Sequence, residues 1–546
     1  MRKFSFTFLF GFIFMSAVQA APIAGDADIQ MNDTLKELER QRIQRQIEED
    51  MKRREENITD ERDKDTTPTK PEEQIKFELK DITVDESAVL KTETIDEIKS
   101  PYLNREVTLD DIFDIVQKIN DAYEQGGFMT CRAYLQPQTI KEGIVHISLS
   151  EGTAGEINIS GNNSTREYYV RDRISLDEGN IPNIKKIDKD ITRFNATNDA
   201  QLRLVMKAGK DFGTTDFEIV LDEPQRSTVS VIVDNTGQES TGEWREGIFY
   251  NFRSLAGVRD LFSIGYTHTI GSNALNVSYE FPITTLGTKF RLDYSTNGTE
   301  VKKGDYKDLI RSHATYYGVT ITHPLSVSLT NRSEWSLSLS NQKSTSTFEN
   351  VGNFSDNKTF GAELAFSQLN YGVGTIFYQR HAYRIGNYKN LIDDTKDNFG
   401  LYKFSGFVRK VQPHGQSFYG RIDAQLSSKK DLPSSEQYYL GGFYSVRGYK
   451  EKIVEGNDGF SFSLEYSVPL DTKKTLSAFT FLDGGKIINS PEYAENPFLL
   501  STGLGLKYSP LKNISANVTL GFPLKRNISG QSVSKSRINF AFSGAF

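Results

Sequence analysis

The chain has 546 residues, 37 % of them apolar and 25 % charged, a net charge of −7 from 65 Lys+Arg against 72 Asp+Glu, and one cysteine. One cysteine excludes an internal disulfide framework and any multi-thiolate zinc or iron–sulfur site. The low hydropathy excludes a bundle of membrane helices, each of which needs about twenty apolar residues, and the mild acidity argues against a broad nucleic-acid footprint. The 25 Tyr, 36 Phe and 42 Gly against 16 Pro fit a membrane β-barrel, and equally a large soluble β protein.

Arg2 and Lys3, the apolar run 4–15 and Ala17-Val18-Gln19-Ala20 predict a cleaved signal peptide over residues 1–20, hence an exported chain. Residues 21–60 follow as one predicted helix. More than half of residues 33–65 are charged, and Leu35, Leu38, Ile43, Ile47 and Met51 form a narrow stripe near helical spacing. Glu49/Arg53 and Asp50/Arg54 are i,i+4 pairs in the favourable order. So thin an apolar face cannot join a core. Two readings stand: a solvated helix or coiled-coil seam, and a helix made to plug a polar, water-filled cavity. Thr66-Thr67-Pro68-Thr69-Lys70-Pro71 predicts a linker over 61–74.

Residues 75–152 and 153–225 read as two small αβ modules. In the first, residues 77–84 alternate as a strand, Thr108 caps a helix running to about Glu124 with Leu109, Ile112, Ile115, Val116 and Ile119 on one face, and Gly126-Gly127 ends it. Strands follow around 129–135 and 143–149. The second module opens at 154–159, repeats the strand–helix–helix–strand–strand order and ends at 216–221. Exposed sheet edges suit capture of an extended polypeptide by strand addition; a pair of structural spacers would read the same.

From residue 226 the period becomes two. Leu275, Val277, Tyr279 and Phe281 oppose Asn276, Ser278 and Glu280; Trp335, Leu337 and Leu339 oppose Ser336, Ser338 and Ser340; Phe460, Phe462, Leu464 and Tyr466 oppose Ser461, Ser463, Glu465 and Ser467. About sixteen such segments fill residues 226–546, an even number, as a closed antiparallel barrel requires. Tight turns are predicted at 284–286, 368–370, 471–473 and 509–511, alternating with long connections near 297–310, 382–399, 428–458 and 484–496; the short connection at 271–273 is an exception. The chain ends Ile538, Phe540, Phe542, Gly544, Phe546. This regularity predicts a sixteen-stranded outer-membrane barrel rather than a sandwich.

A barrel of that size encloses an aqueous channel, so something should fill it. One candidate is the charged helix. The other is the connection 428–458, whose Tyr438-Tyr439-Leu440-Gly441-Gly442-Phe443-Tyr444-Ser445-Val446-Arg447-Gly448-Tyr449 is too apolar for an outer loop and predicts inward folding. On the strand 475–483, Phe479, Phe481 and Asp483 share a face, and the ionisable Asp483 turns that face to the lumen. Arg447 paired with Asp483 would latch the loop to the wall through bidentate hydrogen bonds; an exposed loop arginine and an ordinary strand-end aspartate would read the same.

Val446-Arg447-Gly448-Tyr449 resembles the Val-Arg-Gly-Phe/Tyr loop motif, and Phe481-x-Asp483-x-Gly485 the Phe-x-Asp-x-Gly strand motif, of the superfamily that includes BamA and the two-partner secretion transporters. Leu432-Pro433-Ser434-Ser435-Glu436-Gln437 is similar to the transporter (TpsB) branch. So are Ser100-Pro101-Tyr102-Leu103, Gly127-Phe128-Met129-Thr130 and Pro137-Gln138 with Gly143, in the manner of its first POTRA domain. The resemblance implies an outer-membrane transporter of a Gram-negative cell with periplasmic POTRA domains. It would export one large partner exoprotein, of haemolysin, adhesin or growth-inhibition toxin type, without ATP. The POTRA modules and lumen would bind the secretion domain of that partner, with Arg447 and Asp483 holding the loop. Outer-membrane lipid and the barrel assembly machinery are the other implied partners; nucleic acid and nucleotide are not. A BamA-type insertase is the alternative. Tyr449 stands where some members have Phe.

No catalytic or cofactor chemistry is expected. His146, His268, His313, His323, His381 and His414 show no metal-ligand spacing, Gly-x-Ser-x-Gly is absent, and Cys131 reads as a small packed residue.

Overall fold

The computed structural model describes residues 26–50, 57–62, 76–304, 306–489, 496–528 and 531–546. The signal peptide, Met51, Arg53, Arg54 and the Thr66-to-Pro71 linker lie outside them. The chain forms two compact units, residues 49–224 and residues 225–546 with the N-terminal helix.

In the 49–224 unit, the expected single strand over 77–84 is two, Lys76–Leu79 and Asp81–Val84, in different sheets. Lys80 turns the chain between them, with the amides of Lys80 and Asp81 both donating to the Gly143 carbonyl. The helix Leu109–Gly126 starts where Thr108 and Asp111 form a reciprocal capping box. It buries Ile112, Ile115, Val116 and Ile119 against Leu79, Ile82, Val145 and Ile147. Cys131 sits in this core, where burial pushes its thiol up to about 11; it is packed, not reactive. Gln138 explains its place after Pro137: its amide accepts from the His146 N–H at 2.8 Å and donates to the His146 carbonyl at 2.6 Å. It thereby continues the ladder where the strand Cys131–Tyr134 stops.

The second module orders its sheet as Ile58–Asp60, Gln201–Ala208, Thr214–Asp222, Thr153–Ser160, under the helices Glu167–Arg171 and Ile184–Thr197. Its first strand corrects the sequence expectation. A helix to residue 60 is not formed: it spans Asp26–Asp50, and Ile58–Asp60 pairs parallel with residues 204–206. β-Branched Ile58 and Thr59 favour the extended form, and the edge of Gln201–Ala208 offers them backbone partners.

Sixteen antiparallel strands, from Ser227–Asp234 to Arg537–Ala545, close a barrel. The closing pair runs from Ser230 against Ala545 to Asp234 against Ala541, and Phe546 and Val229 exchange backbone hydrogen bonds of 2.7 and 2.8 Å. Period two divides the wall: Ser461, Ser463, Glu465 and Ser467 are buried on the inside while Leu464 and Tyr466 are exposed on the outside, the pattern of a lipid-facing wall around a polar lumen. Strands lengthen from eight residues at Ser227–Asp234 to 21 at Gly352–Gly372, well beyond the roughly 9–11 needed to cross a bilayer.

Three predicted connections are corrected by this. Residues 382–399 are mostly strand, within Thr375–Asn390 and Lys396–Val411. Gln368 lies in a strand, its side chain accepting from Gln379 directly opposite, and the turn falls at Val373 and Gly374. Likewise Ser509 and Leu511 belong to Phe498–Leu511, the turn being Lys512 and Asn513. Both displaced turns carry polar residues that belong to strands: Gln368 lies on the outer face, in step with Leu364 and Phe366, and Ser509 sits next to the outward Tyr508. The short connection near 271 is real: Thr269 pairs with Ser272.

Candidate functional site

Two elements occupy the lumen. The helix Asp26–Asp50 is fixed chiefly by polar contacts, since its apolar face is thin. Gln30 donates to Thr241 at 3.0 Å and accepts from Ser272 at 2.7 Å. Asn297 donates to the Ala27 carbonyl, and Arg42 bonds Glu334 at 2.9 Å. Of the predicted stripe, Leu35 is half-buried beside Ala27, Met31, Ala314 and Tyr316, Ile43 is half-buried and Ile47 buried; the Leu38 side chain and Met51 lie outside the described residues. Gln30, Asn297 and Arg42 carry no periodic signal and were not legible in the sequence.

The second element is the connection between the strands Ser417–Ser427 and Asp458–Pro469. It folds inward and forms a short hairpin of Tyr438–Leu440 with Val454–Gly456. Leu440, Val446, Tyr449, Ile453 and Val454 bury themselves against Ile487, Leu499 and Ile528, which accounts for the apolar composition of this loop. It also meets the helix: Asn32 donates to the Ser435 carbonyl, Lys452 to the Ile29 carbonyl, and Arg40 stands over the Tyr444 ring.

Arg447 reaches the wall at Asp483. Its backbone N–H and Nε donate to Asp483 Oδ2 at 3.0 and 2.8 Å, and Nη2 donates to Oδ1 at 3.0 Å. Nη1 donates to Glu465 at 3.0 Å and Nη2 also to Ser463 at 3.1 Å, while Ser463 donates to Asp483 at 2.7 Å. Its guanidinium stands 3.7 Å from the Phe481 ring centre, so the two inward phenylalanines form the bed of the arginine. Lys507 pairs with Glu465, joining two cations and two carboxylates in one buried cluster. Glu465 and Ser463 were missed as site residues, although period two places them on the same inward face.

The flanking residues lock the same contact. Gly448 has φ +89°, and its backbone lies so close to Gly521 that a Cβ on Gly521 would sit 2.6 Å from the Gly448 nitrogen. Gly521 has no sequence signal. Tyr449 donates its hydroxyl to the Leu500 and Lys525 carbonyls at 2.9 and 2.8 Å, bonds a phenylalanine could not make. Gly485 lies beneath Leu440, whose Cδ2 would be 2.9 Å from an added Cβ.

Two more anchors hold the loop. Glu436, in the 432–437 stretch, is buried and accepts from Arg384 at 2.8 and 3.0 Å, with Lys403 at 3.4 Å. At the other end Glu239, between the first two barrel strands, bridges Lys303 at 2.6 Å and Lys450 at 2.5 Å. Hydrogen bonds from Lys303 and then Lys450 hold its carboxyl down from 4.5 to about 2.

Among known proteins, the family model described as haemolysin secretion/activation protein ShlB/FhaC/HecB matches residues 213–508, and the one described as POTRA domain, ShlB-type, matches residues 77–152. The heme/hemopexin transporter protein HuxB of Haemophilus influenzae (strain 86-028NP) is 24 % identical over 470 residues, covering 80 % of this chain and 81 % of its own. The outer membrane transporter CdiB of Dickeya dadantii (strain 3937) is 25 % identical over 471 residues, 82 % of this chain and 83 % of its own. The solved structure of CdiB from Escherichia coli superposes with a TM-score of 0.70 at 18 % identity, over 97 % of this chain and 100 % of that one.

Proposed function

We infer, for a chain that belongs to the haemolysin secretion/activation protein family (ShlB/FhaC/HecB), that export requires both lumen elements to move. The protein is an outer-membrane transporter of two-partner secretion, carrying an exoprotein from the periplasm, where its POTRA domains lie, to the cell surface; the insertase alternative has less support. The observation that carries the inference is the occupancy of the lumen by a helix held through side-chain hydrogen bonds and by a loop held through side-chain ion pairs and apolar packing. Neither is woven into the barrel ladder, so each can leave without unzipping a strand.

In this reading the POTRA modules capture the secretion domain of the partner as an extended strand, the helix withdraws, the loop shifts while Arg447 and Asp483 hold its tip, and the partner threads the lumen unfolded. Its folding outside the cell supplies the drive, with no nucleotide. The likeness to HuxB and CdiB supports a secreted exoprotein as the cargo. A disulfide between Gln30→Cys and Ser272→Cys, which face one another across a 2.7 Å hydrogen bond, tests the helix step. Oxidised transporter is expected to stop exporting and to resume on reduction; export at the normal rate through the oxidised form contradicts it.

A further inference from the structure

The sheet edges of the two modules are closed in two different ways. On the outer edge of Thr153–Ser160, the Ala154 backbone bonds to Gly179 and Asn180, and Ile157 is taken by Arg171 and Glu178. In the first module Asn120 bridges the N–H and carbonyl of Ala133 at 2.7 and 3.1 Å. Asn195 does the same at Leu202, at 2.6 and 2.9 Å. These are fixed groups of the modules themselves, ordinary protection of a strand edge.

Residues 204–206 are closed otherwise, by an extended segment from outside the module core. Ile58, Thr59 and Asp60 pair with Leu204, Val205 and Met206, the Asn57 carbonyl accepts from Leu204 at 2.8 Å, and Glu61 donates to the Met206 carbonyl at 2.9 Å. Thr59, Asp60 and Glu61 are exposed and Ile58 only half-buried, so backbone pairing carries most of the attachment. Two side chains add to it: buried Asn57 donates to Asp188 and Thr192, both at 3.0 Å, and Arg62 donates to the Met129 carbonyl at 3.2 Å.

We propose that Ile58–Asp60 is a built-in competitor, and that an extended segment of the secreted partner takes the same edge by displacing it, parallel to Gln201–Ala208 and with an amide side chain in the Asp188–Thr192 notch. This rests on the capture step proposed above and names its place. A stretch of edge closed by a strand is one whose backbone groups are free to receive another strand, and three residues of pairing yield to a longer segment.

The test uses the full-length transporter in detergent and, as probe, the exoprotein that disappears from the medium when the transporter gene is deleted, unfolded in urea and diluted. A disulfide between Glu61→Cys and Lys207→Cys, which extend the parallel register by one pair, locks the strap; Asn57→Ala loosens it. The lock is expected to weaken probe binding roughly tenfold, reversibly on reduction, and Asn57→Ala to tighten it several-fold. Equal binding by wild type, locked and loosened forms overturns the proposal, as does a lock that stops export but leaves binding unchanged, the mark of a mere tether. Absence of binding by every form contradicts the capture step itself and the proposal with it.

Discussion

Arg447 shares its donors among Asp483, Glu465 and Ser463 in a site where it is 7 % exposed. Truncating one member of a buried pair strands the charge of the other, at a cost of about 3–5 kcal/mol. Arg447→Ala is therefore expected to release the loop tip and abolish export while the barrel still assembles, read from secretion beside the heat-modifiable migration of the barrel. Arg447→Lys should rescue poorly, since an ammonium cannot reproduce the planar fork. Gly521→Ala should produce the same loss with every charge intact, because its Cβ collides with Gly448; normal export by that variant would separate the close backbone approach from function. Glu239 gives a pH dependence. Its folded value, about 2, lies below the ordinary 4.5. The stabilisation is thus full above about 4.5 and lost as pH falls toward 2. Proteolytic cleavage of the outer part of the loop by an acid protease should rise across that window, and Glu239→Gln should be cleaved equally throughout.

At the scale of elements, the N-terminal helix and the strap after it separate what sequence patterning joined. The charged run 33–65 showed a helix because its stripe recurs near period 3.6, but three extended residues cannot register in a helical period. Their fate depended on a distant edge, Ile58 pairing with Leu204, Thr59 with Val205 and Asp60 with Met206. The described part of the lumen helix spans Asp26–Asp50, and a plug deletion should remove residues 26–50 and spare the strap. That deletion is expected to raise conductance in planar bilayers; conductance equal to wild type would mean that the loop alone seals the channel. The modules were legible where a local rule acts, as in the Thr108 cap and the amphipathic helix after it. They were less so where a backbone partner decides, as with Lys80, which splits one apparent strand into two sheets.

For the whole molecule, alternation was enough to show the barrel because lipid outside and water inside impose period two on every strand. The turns at 368–370 and 509–511 were misplaced because a polar strand residue near the barrel rim and a polar turn residue look alike in one dimension. Arg447 and Asp483 were legible because an arginine in an apolar loop and an aspartate on an aromatic face are each anomalous. Glu436 and Arg384, or Gly448 and Gly521, meet only through the closed barrel, and no spacing along the chain announces them. The central claim is that this barrel exports a dedicated partner. Deleting its gene in the native host, then comparing the proteins of the medium and the outer membrane, tests it most directly. Loss of one large exoprotein from the medium, with the other outer-membrane barrels at normal abundance, is the expected result; a general depletion of barrels with no exoprotein lost would contradict it.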